Sequence, residues 1–564
     1  PVFKQIDALQ ETHKLATLVG ELEAEGSAVT IFSFDVEQDE KDSSKQIAVL
    51  GQAGLSLPDR DYYIVDNKHF QEIRQQYIAH LTKMFTFAGD TPEQAGKEAA
   101  AVLEIETALA KVSMARVDLR DPEKVYHIYP VADLQKLTPE FDYAVYFNDV
   151  KVRPFDTLNV ATPEFFKGLE ALIAKEPIDT WKSYFRWHAL HGAAVNLPKA
   201  FFDENFAFFG KTLSGQKEPT PRWKRCTSMT DQALGEAVGQ DWVKQNFPPA
   251  AKASMDQLVA ALEKSLGDDI KTLPWMSEAT KKAAEEKLSM IRNKIGYPEK
   301  WRNYEALKVK RDDLLGNLRR SQVFEDNWNL DHLGKPVDEK EWGMTPPTVN
   351  AYYDPSFNDI NFPAGILQPP FFDFASDPAV NFGGIGVVIG HEMTHGFDDE
   401  GSQFDGHGNL REWQTPEDRK AFTERTDCMA SEYSDFEAAP AHGDQPAQKL
   451  NGKLTLGENT ADNGGLRIAY KALLETLAAQ AKSINDKGDK IGGYTEAQRY
   501  FLGFAQVWCE NETEQSARQG ALTDPHSPGR WRVNGTVRNF DQFGKAFGCT
   551  QGQLLYPVNS CRVW

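Results

Sequence analysis

The chain has 564 residues, 41% hydrophobic and 26% charged, with a mean hydropathy of −0.52. That is room for roughly two to four domains, and it excludes disordered, collagenous and low-complexity classes. Against 62 Lys and Arg stand 83 Asp and Glu, a formal net charge of −21, so a nucleic-acid backbone or an anionic membrane surface would mostly repel the protein.

Residues 385–389 are the richest apolar stretch, far short of the ~18 consecutive residues a bilayer span needs, so no membrane span is expected. The chain opens at Pro1 on a polar amphipathic stretch with Gln5, Asp7, Glu11 and Lys14. It reads as a mature or truncated form without a secretion signal. Five cysteines (Cys226, Cys428, Cys509, Cys549, Cys561) are too few and too scattered for a disulfide scaffold, and no CxxC pair suggests a thiolate metal site. An odd count leaves one thiol unpaired or one partner missing.

The first 300 or so residues read as helices. Over 92–114, Ala95, Ala99, Val102, Ile105, Leu109 and Val112 recur at helical spacing. Over 277–295 the stripe is Ala284, Leu288, Ile291 and Ile295, with Gly296 and Pro298 as the stop. This half shows no catalytic constellation and is expected to be a scaffold or cap. Near 341–370 the texture changes to Pro, Gly, Asn and aromatics. Alternating Val349, Ala351 and Tyr353 predict a short edge strand flanked by prolines. An edge can hold an extended peptide as an added strand; an ordinary hairpin is the alternative.

The segment that carries chemistry is His391-Glu392-Met393-Thr394-His395, an HExxH preceded by the glycine-rich 384–390. On a helix, residues four apart share a face, so both imidazoles can converge on one metal ion. Glu392, one residue round, is placed to take a proton from a water at that ion. Catalytic zinc commonly takes three protein ligands and leaves one position open, so a third ligand is required. Metzincins place it six residues on, after a glycine; here Asp398 and Gly401 occupy those positions, which excludes that subclass.

Later candidates are His407, Glu412, Glu432, His442 and Glu458. Only Glu458 is followed four residues later by a carboxylate, Asp462, at the head of an amphipathic run with Leu466, Ala469, Leu473 and Leu477. Glu458 can then ligate the ion while Asp462 accepts the free ring N–H of a zinc histidine. An acidic helix start suited to the macrodipole is the other reading of this pair; the upstream HExxH favours the ligand reading.

Together, the HExxH-Gly396-Phe397-Asp398-Asp399 run, Gly457-Glu458-Asn459-Thr460-Ala461-Asp462, Asn350-Ala351-Tyr352 and the ending Cys561-Arg562-Val563-Trp564 resemble the neprilysin and endothelin-converting-enzyme family of zinc endopeptidases. Leu57-Pro58-Asp59-Arg60-Asp61-Tyr62-Tyr63 is similar to its bacterial branch, and the matches run from about residue 50 to the end. The resemblance implies a mainly α fold with a small β component: a thermolysin-like (gluzincin) catalytic domain over 301–564 facing a larger helical domain over 1–300, around a chamber that admits short peptides. It implies one Zn2+ per chain on His391, His395 and Glu458, with Glu392 as general base in Glu-assisted attack of a zinc-bound water.

The same resemblance makes Asp462 the carboxylate behind a ligand, Asn350 and Ala351 backbone anchors for substrate, His526 the oxyanion stabiliser, and Arg532 the clamp on a substrate carbonyl. Alone, those last two would pass for surface residues of a Pro-rich loop. Ile366, Phe371, Val387, Val388, Val507 and Trp508 match the pocket for a large hydrophobic side chain just after the cut bond, although such residues are commonly core. Peptides are then the expected partners, with no nucleic acid.

In extracellular relatives, the resemblance further implies, Cys428 pairs with the cysteine matching Cys561, while the positions of Cys226, Cys509 and Cys549 pair with an earlier segment not seen before Pro1. Association with such a segment is an expectation, as is a periplasmic or extracellular location, with a cytoplasmic one open because bacterial relatives occur on both sides of the membrane. Sequons at Asn511 and Asn534 matter only in a eukaryotic secretory host.

Two rival readings are weaker. Glycines 384, 386 and 390 fit a dinucleotide loop, but no buried strand precedes them and no acidic residue about 20 positions on follows a second strand. A non-catalytic peptide-binding module would tolerate loss of a ligand or base, yet Glu392, Glu458 and Asp462 are all present.

Overall fold

The structure, a computed structural model, describes residues 1–27, 29–443, 445–484 and 490–564. It is mostly helical, with short strands in small sheets. Packing divides the chain into two compact units, each discontinuous in sequence: the first comprises 1–39, 44–227 and 303–337, the second 40–43, 228–302 and 338–564.

A single cut near residue 300 therefore does not describe the units. The helix Pro249–Ile270 buries Met255, Leu262 and Leu266 in the core of the second unit, and Ser265 donates to the Ile468 carbonyl (2.8 Å). Residues 303–337 return to the first unit, where Leu333 joins the core. There Asn329 brackets Val36 by accepting from its N–H (2.8 Å) and donating to its carbonyl (2.9 Å).

In the first unit, helices Lys68–Ala88 and Pro92–Val112 pack together across a tight turn. Gly89 closes the first in a left-handed conformation (φ 113°), which glycine adopts without a Cβ penalty. Thr91 caps the second by accepting from Gln94 N–H, with Pro92 at the first helical position. Of the predicted stripe, Ala95, Ala99, Val102, Ile105 and Leu109 are buried and Val112 is partly buried.

That helix also carries Glu106, fully buried. It accepts from Ser56 (2.6 Å), Tyr63 (3.0 Å) and Tyr77 (2.8 Å), with His188 3.2 Å away. The Tyr63 hydroxyl in turn accepts from the N–H of Leu57 (2.8 Å). The Leu57 to Tyr63 motif is thus a turn folded over one buried carboxylate, whose charge is satisfied by several donors.

A sheet not foreseen in this half consists of β1 (Phe32–Asp39), β2 (Asp42–Gln52), β3 (Ile128–Pro130) and β4 (Thr157–Val160), in the order β1-β2-β4-β3. Its strands are scattered among helices, and alternation such as buried Phe32, Phe34 and Val36 is a weak signal over so few residues.

In the second unit the expected helix over 277–295 is shorter. Ser277 caps a helix Glu278–Ser289, and the chain continues as β5 (Arg292–Gly296), parallel to β7 (Asp359–Pro363). Ile291 and Ile295 are buried as expected, but Ile295 is buried from a strand. Lys294 pairs with buried Asp359 across the ladder (2.7 Å), and Gly296 (φ 93°) turns the chain at the strand end instead of stopping the helix. Among the described residues β6 (Tyr352–Asp354) pairs with β7 alone, in the order β5-β7-β6, so the predicted strand lies at a sheet edge, starting just after Asn350 and Ala351.

Cys428 and Cys561 form a disulfide, closing 133 residues. It anchors the C-terminus so that Trp564, 2% exposed, packs on Phe397 (5.6 Å between rings) and Trp275 (5.8 Å). Among the described residues, no helix is long and apolar enough to cross a membrane.

Candidate metal centre and active site

The glycine-rich stretch before HExxH is helical: one π turn, Phe382–Gly386, leads into the helix Val387–His395. It is packed, not looped around a phosphate. A Cβ on Gly384 would stand 2.5 Å from the Phe371 carbonyl.

Glu458 lies in the first turn of a second helix, Leu456–Ala479. Glycines let the two helices touch backbone to backbone. A Cβ on Gly390 would come within 2.9 Å of Gly465 Cα, and one on Gly464 within 2.5 Å of Thr394 Oγ1. This close crossing brings a side chain from 63 residues downstream of His395 to the face that carries both histidines.

The result is a convergence of three side chains whose ligand atoms all lie within 4.8 Å of one another. His391 Nε2 is 3.0 Å from His395 Nε2, 3.3 Å from one Glu458 oxygen, and His395 Nε2 is 3.5 Å from the other. Tetrahedral zinc with Zn–N of ~2.0–2.1 Å requires donor separations of about 3.3 Å. The opposite ring nitrogens are engaged: His391 Nδ1 lies 2.8 Å from Asp462 Oδ1 and His395 Nδ1 lies 2.7 Å from Asp398 Oδ2. With each Nδ1–H donated to a carboxylate, both Nε2 lone pairs face the same point, as a metal demands. The residues present fit a zinc ion.

The electrostatics agree. Burial opposes charge on Glu458, yet His395, His391 and Arg532 hold its carboxyl well below the usual range. Burial likewise opposes a protonated His395, but Glu458 and Asp398 lift it to about 10. The cluster of carboxylates thus favours positive charge at the imidazoles, where a divalent cation would supply it. Burial pushes Glu392 above its ordinary value, against the pull of the two histidines, and a raised value makes a carboxylate a better proton acceptor.

On the other side, His526 Nε2 lies 3.3 Å from Glu458 Oε1, and its Nδ1 is 2.7 Å from Asp524. Arg532, buried, donates twice to Asp462 (2.8 and 2.7 Å) and stacks over the Trp508 ring (3.8 Å). Burial works against its charge, and Asp462 more than restores it. Its Nη2 also donates to Glu458 (3.3 Å), which leaves the Nη1 N–H groups of the guanidinium as further donors.

Apart from Asp524, these groups line one cavity of about 430 Å³. Asn350 and Ala351 border it beside β6, and Ile366, Phe371, Val387, Val388, Val507 and Trp508 form an apolar part of its wall. Every residue proposed for the site from sequence is therefore brought together. The remaining candidates for third ligand stand elsewhere: Glu412 pairs with Arg419, Glu432 with Arg538, His442 with Glu514, and His407 is exposed in a turn with Asp405.

Sequence reasoning missed Asp398 as the partner of His395; it lies in the turn just past the helix end, where only its closeness in sequence gave a signal. It also missed Tyr353 and Phe504 on the cavity wall, which carry no motif.

Two family models, both of peptidase family M13, match residues 1–298 and 350–563. The chain is 36% identical over 545 residues to human endothelin-converting enzyme 1, covering 94% of this chain and 69% of that protein. It is 34% identical over 556 residues to Drosophila melanogaster neprilysin-3, covering 95% and 69%. Among solved structures it resembles Mycobacterium tuberculosis zinc metalloprotease Zmp1 in complex with an inhibitor, with a TM-score of 0.94 and 36% identity over 100% of this chain and 85% of that one. It also resembles PepO from Lactobacillus rhamnosis, with a TM-score of 0.85 and 26% identity over 98% and 84%. The chain belongs to peptidase family M13 and is a zinc metalloendopeptidase.

Proposed function

We propose that the protein holds one zinc ion per chain on His391, His395 and Glu458 and cleaves short peptides before a large hydrophobic residue. The observation that carries this reading is the facing pair of histidine Nε2 atoms, each with its Nδ1 tied to a carboxylate and both within 3.5 Å of Glu458.

Bound zinc would supply a Lewis acid that activates water and polarises a carbonyl. Glu392, buried in the cavity wall, takes the proton of the attacking water on its carboxylate and passes it to the leaving amine. His526, oriented by Asp524, offers its Nε2 to the developing oxyanion; losing one such donor typically costs ~100-fold to ~1000-fold in turnover. Arg532, held rigid between Asp462 and Trp508, donates to a substrate carbonyl, and Asp462 fixes the ring of His391.

The extended peptide lies along the free edge at β6, with Asn350 and Ala351 as its backbone anchors. The apolar wall from Ile366 to Trp508 receives the side chain after the cut. A peptide-sized substrate is supported by the similarity to endothelin-converting enzyme 1, and a periplasmic or extracellular location by the Cys428–Cys561 disulfide.

Glu392→Gln tests the reading. It should retain stoichiometric zinc while hydrolysis of a quenched peptide falls at least ~100-fold; near-normal turnover would contradict it.

A further inference from the structure

Asn459 follows the metal-ligand candidate Glu458 and is wholly buried, 0% exposed. Its amide nitrogen donates to Thr455 Oγ1 one turn back (2.8 Å), which leaves the amide oxygen to accept from Ser527 Oγ (2.8 Å). Ser527, also buried, directly follows His526. Inside that turn both the backbone N–H and the ring Nδ1 of His526 go to Asp524 Oδ1 (2.8 and 2.7 Å), so the imidazole is fixed relative to its own loop. The Ser527 to Asn459 bond then ties that loop to the helix bearing Glu458.

We infer that Asn459 and Ser527 are positioning residues that set His526 against the reacting carbonyl, by clamping its loop one residue beyond the Glu458 ligand. This rests on the reading of His526 as oxyanion donor. Neither side chain lines the cavity that holds the zinc cluster, and Ser527 borders a smaller one beside His526, Trp508 and Arg532. Their effect runs through geometry. An oxyanion donor works when it stands ~2.7–3.1 Å from the place where charge develops, and a displacement of about 1 Å can cost ~100-fold. An apolar residue at position 459 would take away the acceptor of the buried Ser527 hydroxyl, while Thr455 would keep its bond to the Asn451 carbonyl (3.3 Å), and an aspartate would set a second negative charge beside Glu458.

The test is a double-mutant cycle in the zinc-loaded full chain, with Ser527→Ala, His526→Ala and the pair. Turnover, KM, zinc per chain and melting temperature are read for each. Ser527→Ala should lower kcat roughly 10-fold to 100-fold, with KM within about 2-fold and zinc retained. In the His526→Ala background the same change should alter kcat by less than about 2-fold, because the two act as one unit.

Should Ser527→Ala impair folding, Ser527→Cys, a weak donor of similar size, takes its place in the cycle with an intermediate loss expected. Equal losses in both backgrounds, loss of zinc, or a change confined to KM would overturn the inference and leave the role of His526 intact. A His526→Ala enzyme that keeps near-normal kcat would overturn that role and the clamp with it.

Discussion

Gly465 on the glutamate-bearing helix lies directly against the backbone of His391: a Cβ there would stand 2.6 Å from the His391 nitrogen and 2.6 Å from the Val387 carbonyl. No flexible side chain can give way, since both atoms are main chain. Gly465→Ala is therefore expected to force the helices apart, at a cost of about 1–3 kcal/mol, and to weaken zinc binding by moving Glu458 from the histidines. Chelator competition and thermal melting check it; an unchanged affinity would mean that the crossing does not set the ligand geometry.

Asp398 holds the His395 ring and also accepts the backbone N–H groups of Glu400 and Gly401 (2.9 and 2.7 Å). Asp398→Asn keeps the shape and removes the charge that raises ligand basicity. Zinc affinity should fall ~10-fold to ~100-fold, measured by titration against a chelator of known strength, with far-UV circular dichroism unchanged.

The apolar wall beside the zinc cluster sets specificity. In a peptide series varying only the residue after the cut, replacing Phe by Ala should lower kcat/KM by at least ~10-fold, and Asp should be poorer still, since several carboxylates already surround the site. Equal rates across the series would remove Val388, Val507 and Trp508 from the substrate pocket.

In the first unit, burial pushes the Glu23 carboxyl up to about 7, only partly offset by a hydrogen bond from Tyr146 (2.8 Å) and reinforced by Asp326 and Asp35. The folded state thus keeps a proton that the unfolded chain, with a value near 4.5, has released. This group's stability contribution is full below about 4.5 and lost as pH rises through about 7. Glu23→Gln should flatten that decline and stabilise the protein at pH 8 by about 2 kcal/mol, after allowance for partial exposure. Melting curves of both proteins between pH 5 and pH 8 give the comparison.

What could be read from sequence depended on the range of the signal. The histidines and Glu392 are local, one helical turn, and were plain. Glu458 is remote but sits in a motif with its own internal spacing to Asp462. The 92–112 helix announced itself by a long periodic stripe, whereas β5 was absorbed into the preceding helix because Ile291 and Ile295 also fit helical periodicity. Pairing with β7, 67 residues away, decided the outcome, and no local pattern records it. The return of 303–337 to the first unit is of the same kind: Asn329 reads as an ordinary polar helix residue until Val36 is beside it.

The most direct measurement is a zinc-edge anomalous difference map from crystals of the full chain. The account predicts one peak per chain, about 2.0–2.2 Å from His391 Nε2, His395 Nε2 and a Glu458 oxygen. A zinc-loaded protein whose peak lies elsewhere, or in which those three side chains point away from it, would contradict the account at its centre.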